Sequence, residues 1–181
     1  MRVMILAVVL TAGVTACGTP APQSQPQSQS SPAPTSAADK QQPTVKAELT
    51  VQGKPGLGLL AATNQGSAPI TFQGWPKLSF TNLANEPAAI PVEQKLVPGE
   101  GPSITLQPGQ TAFAGVQLDT EDDANAFAIG SITAEVPGTE PTKVTIIGTD
   151  GQNITDISKM KVSEAKVGTM QPATQGVLVF D

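Results

Sequence analysis

The chain has 181 residues, a formal net charge of −5, a single cysteine, and neither histidine nor tyrosine. Nucleophilic triads that use histidine are excluded, and zinc or soft-metal sites lack their usual ligands. The acidic balance gives nucleic acid and anionic lipid nothing to be attracted to, so no nucleic-acid partner is expected; no cofactor is expected either.

Residues 1–16 read as a lipoprotein signal peptide. Arg2 supplies a positive n-region, Ile5 to Leu10 an apolar h-region, and Thr11 to Ala16 are mostly small. From Val3 to Ala16 the run is too short to remain as a spanning helix, which needs roughly 17–25 residues. Val14-Thr15-Ala16-Cys17 resembles the lipobox of bacterial lipoproteins, in which the cysteine thiol receives a diacylglycerol. An ordinary cleavage would instead leave a lone thiol outside the cytoplasm, open to oxidation or mispairing. A thioether to lipid removes that hazard, and two or more acyl chains (palmitate or its like) anchor stably where one holds only marginally. The expectation is lipidation at Cys17, with the membrane as a partner through this anchor and the outer face of the cell membrane as location.

Residues 17–44 contain the lipidated Cys17 and then six Pro, six Gln and five Ser, with no Val, Ile, Leu, Phe or Trp. Such a stretch buries too little apolar surface to offset its ordering entropy and is expected to be a disordered tether. As a flexible coil it spans about 30 Å.

Residues 45–181 suit one domain, with 8 Lys against 14 Asp plus Glu. The periodicity is that of strands. "VKAELTVQ" (45–52) alternates Val45, Ala47, Leu49 and Val51 with polar residues. "TAFAGVQL" (111–118) places Ala112, Ala114, Val116 and Leu118 on one face, and "SITAEV" (131–136) does the same with Ile132, Ala134 and Val136. In "KVTIIGTDGQNITDI" (143–157) a hairpin is expected, Asp150-Gly151 providing the positive φ angles of its turn. "GKPG", "NQGSAP", "VPGEGP", "QPGQ" and "VPGTEP" punctuate these runs as turns. Strand-like runs every 8 to 12 residues indicate an antiparallel sandwich or barrel. A short helical turn is expected within 120–127, with Thr120 as its cap.

"NQGSAPITFQGWPKLSF" (64–80) followed by "GPSITLQPGQTAFAGVQL" (101–118) resembles the actinobacterial lipoproteins that carry the domain of unknown function 4232. Asn64, Gly66, Pro69, Gly74-Trp75-Pro76, Leu78, Gly101-Pro102, Leu106 and Pro108-Gly109 carry the resemblance. It implies an all-β, immunoglobulin-like antiparallel β-sandwich on the outer face of the membrane, and no activity. Many members have a cysteine just after the proline matched by Pro69, and another further on. Here that position is Ile70 and no second cysteine exists, so the disulfide the resemblance implies cannot form.

Four features invite a chemical reading. Ser158-Lys159-Met160-Lys161 matches an S-x-x-K string, with Lys166-Val167-Gly168 as a faint echo of the companion motif. That mechanism needs the serine on a helix and the second motif on a distant strand, so chance is the better account. Asp119, Glu121, Asp123 and Asn125 place oxygens at positions 1, 3, 5 and 7 of a calcium-type loop. The loop lacks the glycine at position 6 and the glutamate at position 12, where Ala124 and Gly130 stand. A solvated acidic loop is expected, with these four as weak metal candidates. Trp75, the sole tryptophan, is expected to fill the core. A glycan hydrolase built on paired carboxylates would need an aromatic-lined cleft, and aromatic residues are 3% of the chain. The expected function is a non-catalytic binding or scaffold module of the cell envelope, with an envelope protein or glycan as partner. The alternatives are a solute- or calcium-binding lipoprotein and, further off, the carboxylate-based hydrolase.

Overall fold

The alternating runs become strands in a computed structural model of the chain, which describes residues 44–120 and 124–180. Cys17, the expected signal peptide and the expected tether up to residue 43, together with Glu121 and Asp123, lie outside the described residues. β1 runs Val45–Val51, β2 Leu57–Asn64, β3 Ile70–Phe72 and β4 Lys77–Asn82. Then come β5 Pro87–Ala88, β6 Val92–Gln94, β7 Ile104–Leu106 and the long β8 Thr111–Asp119. β9 Phe127–Glu135, β10 Thr142–Ile147, β11 Asn153–Ile154, β12 Lys161–Val162 and β13 Glu164–Val167 follow. There is no helix among the described residues.

One curled sheet runs in the order β5-β4-β9-β10-β1-β2-β8-β13-β6, with β11 paired to β10 and β12 to β9; β3 and β7 form a second, two-stranded sheet. The chain is thus an all-β sandwich, as its periodicity predicts. Most pairings are antiparallel. β1 with β10 and β13 with β6 are parallel, and both join segments far apart in sequence.

Period-two alternation directs one face of each strand inward. Val45, Ala47 and Leu49 of β1, Leu60 and Ala62 of β2, and Ala112, Ala114, Val116 and Leu118 of β8 are buried. They meet Ile129, Ile132 and Ala134 of β9, while Ile70, Phe72, Ile104 and Leu106 of the small sheet join the same core. Ile70 is cross-strand partner to Leu106. Both side chains are buried in the core.

The β10–β11 hairpin forms, with Ile147 opposite Asn153, but its turn differs from the expected one. Gly151 alone adopts positive φ, at 77°. Asp150 instead accepts a 3.0 Å hydrogen bond from the Gln152 N–H through its side chain, an Asx turn that needs no left-handed aspartate. The helical turn expected within 120–127 is not seen in its described part, where Ala124 and Asn125 form a turn and β9 begins at Phe127.

After β13 the chain crosses back over β8. Gln171 and Phe113 exchange backbone hydrogen bonds of 2.7 and 2.8 Å, and Val177 is fully buried. This crossing depends on Gly115. A Cβ there would collide with the carbonyl oxygen of Val177 and press on the Phe180 ring.

Candidate functional site

The residues that carry the family resemblance gather into a structural frame. Asn64 is fully buried at the end of β2. Its side-chain amide donates to the carbonyls of Ala68 (2.9 Å) and Leu106 (3.0 Å), and its Oδ1 accepts from the Gly66 N–H at 2.9 Å. Its backbone closes the second loop, accepting from Gly109 and donating to Gln110. One side chain therefore joins "NQGSAP" to "QPGQ". Trp75 is half-buried against the core rather than at its centre, and its indole N–H donates to the Lys95 carbonyl at 2.7 Å. Gly74 accepts from the Met170 N–H at 2.8 Å, and Pro76 is fully buried. Thr169, the other fully buried polar residue described, donates through its hydroxyl to the Val97 and Gly99 carbonyls. Among the described residues, every buried side-chain nitrogen or oxygen has a partner. With its polar groups satisfied, this frame specifies the fold and offers no ligand an open hydrogen bond.

Ser158 does not start a helix. It lies exposed in the turn before β12, where its hydroxyl and N–H bond to Asp156 and hold that carboxyl below its usual range. Lys161, the lysine of the string, lies on β12, so Ser158 and Lys161 do not share the helical turn that the S-x-x-K mechanism needs.

Charge gathers elsewhere, where β8 and β13 run side by side. Their register sets Asp119 opposite Glu164 and Gln117 opposite Lys166, and period two puts all four on one face. The β1–β2 turn closes over them. Leu118 donates its N–H to the Gly56 carbonyl at 2.7 Å, and a Cβ on Gly56, whose φ is 71°, would collide with the Leu118 carbonyl. Only glycine brings this turn so close, and it carries Lys54 and Pro55 to the rim. The result is a half-open cavity of about 370 Å³ lined by Lys54, Gln117, Asp119, Thr120, Glu164 and Lys166, among others. Among the described residues, none of Lys54, Glu164 and Lys166 has an ion-pair partner within 4.0 Å. Of the four weak metal candidates, Asp119 faces this cavity while Asn125 lies in the exposed turn before β9. No group of three or more Asp, Glu, His or Cys able to hold a metal ion occurs among the described residues.

A second groove of about 360 Å³ opens where β9 and β10, paired at Thr133–Lys143 and Ala134–Thr142, part company. Ile132, Val144, Ile154 and Ile157 give it an apolar wall. The sequence flags neither cavity, since each is assembled by strand register.

The family model described as "Domain of unknown function (DUF4232)" matches residues 39–171, most of the chain, and the chain belongs to that family. No curated protein and no solved structure matches it.

Proposed function

We propose that this member of the DUF4232 family is a non-catalytic binding or scaffold module of a bacterial cell envelope, held on the outer face of the membrane by lipid on Cys17. The observation that carries the reading is the lone cysteine behind Val14-Thr15-Ala16 and a short apolar run. Residues 17–44 then set the domain off from the lipid surface. The filled core supports binding at the surface rather than chemistry in a deep cleft. Asp119 and Glu164 are a carboxylate pair, but no aromatic side chain lines their cavity, so a sugar ring would find no stacking platform.

Replacing Cys17 with Ser tests the anchor. The variant is expected to leave the detergent phase on partitioning, to take up no labelled palmitate and to remain unprocessed. Partitioning identical to the parent protein would sink the proposal. Crosslinking in intact cells, followed by identification of what co-purifies, then asks which envelope component is bound.

A further inference from the structure

We infer that the β8–β13 cavity is a binding site for a small zwitterion, an amino acid or short peptide carrying both a free ammonium and a free carboxylate. This deepens the reading of the chain as a binding module and rests on it. The cavity holds two carboxylates, Asp119 and Glu164, and two ammonium groups, Lys54 and Lys166. Charges of opposite sign in one surface cavity ordinarily close on each other. Here Lys54, Lys166 and Glu164 form no ion pair within 4.0 Å among the described residues. Lys166 is drawn the other way as well, since β6 sets Glu93 beside it and its charge adds to the hold on that carboxyl.

The backbone maintains this arrangement. Asp119 and Glu164 are fixed as a register pair, and two carboxylates so placed favour a cation between them. Lys54 is held at the rim by the Gly56–Leu118 contact. A bare cation drawn to Glu164 would leave the lysines facing it; a bare anion drawn to the lysines would face the carboxylates. A molecule with both charges meets its opposite at each end, its ammonium toward Glu164, on the Asp119 side of the cavity, and its carboxylate toward Lys54 and Lys166. The Gln117 amide and Thr120 hydroxyl can hydrogen-bond a peptide group between the ends. A volume of about 370 Å³ suits a ligand of this size, at the lower end of small-molecule sites.

Titration calorimetry of the full chain in detergent, with glycine and alanyl-alanine as probes at low and high salt, tests the inference. Saturable binding that weakens with salt is expected. Acetate, methylammonium and calcium, each carrying one sign of charge, should give no saturable heat. Glu164→Gln and Lys166→Gln should each raise Kd about tenfold without lowering the melting temperature of the chain. A third variant, Lys54→Gln, lies in a turn and should act likewise. Absence of saturable heat with both probes, or calcium binding equal to that of the dipeptide, would overturn the site. The anchor is read by partitioning of Cys17→Ser, so failure of one proposal leaves the other standing.

Discussion

Asp119 and Glu164 stand opposite one another across the β8–β13 ladder, two carboxylates in one register pair. Like charges so placed destabilise a sheet, and opposite charges contribute roughly 0.2–1 kcal/mol. Glu164→Lys is therefore expected to stabilise the fold, raising the melting temperature by a few degrees at low salt and less at high salt. A melting temperature that falls, or a gain indifferent to salt, would count against the electrostatic account. The same substitution should abolish dipeptide binding, so that the fold gains stability as the cavity loses its ligand.

Gly115→Ala is expected to lift the C-terminal segment from β8, because the added methyl would occupy the place of the Val177 carbonyl. Limited proteolysis should then cut after Gln171 far faster than in the parent protein. Val177→Ala removes only the buried side chain and should cost about 1.5–3 kcal/mol by denaturant melting. Equal protease resistance in Gly115→Ala and the parent would show that the crossing is not set by that glycine.

Asn64→Ala leaves the Leu106 and Ala68 carbonyls and the Gly66 N–H without their partner. The bond to Leu106 is buried, and a buried group orphaned in this way costs roughly 1–3 kcal/mol. The variant should melt well below the parent, with hydrogen exchange accelerated first in the loops 65–69 and 107–110. Uniform acceleration across the sheet would argue that the residue is not a local clamp.

Lys95 donates a 2.6 Å hydrogen bond to Glu93, and this bond, then the charges of Lys95 and Lys166, holds the Glu93 carboxyl below the usual glutamate range. The sign follows from that direction. The contribution to stability is present at pH above the ordinary glutamate range and is lost as pH falls through the lowered value. In Lys95→Met the Glu93 carboxyl should titrate higher, back toward its usual range, in a side-chain NMR titration. Trp75 should keep its hydrogen bond, which goes to the Lys95 backbone. An unchanged Glu93 titration would remove Lys95 as the cause.

How much of this was legible in the sequence differs from strand to strand. β1, β8 and β9 announce themselves because one face is apolar and the other polar. β2 does not: in "LGLLAATN" Leu57 and Leu59 lie on one face and Leu60 and Ala62 on the other, and only the second set is fully buried. Its other face, Leu57, Leu59 and Ala61, is apolar and partly buried as well, so the polar half of the alternation is missing. β5, β11 and β12 are two-residue pairings that exist only through their neighbours, and the parallel pairings of β1 and β13 leave no local trace. For the site, the acidic run draws attention to Asp119 but not to its companions. Glu164 and Lys166 lie in "SEAKVG" and Lys54 in the turn "GKPG", and only register and the Gly56 contact bring them together. The clearest motif, from "NQGSAP" to "QPGQ", marks the frame around Asn64, because buried polar clamps tolerate few residue types while a surface cavity tolerates many.

The place of β1 has a mechanical consequence. The chain ahead of Val45 joins the sheet in its interior, with seven register pairs to β2 on one side and four to β10 on the other. A pull on that chain runs along the strand and loads both ladders at once, in shear. Had the chain joined at β5 or β6, the same pull would unzip an edge one pair at a time. A domain pulled through β1 resists by the joint strength of eleven pairings, and it does so without a covalent staple.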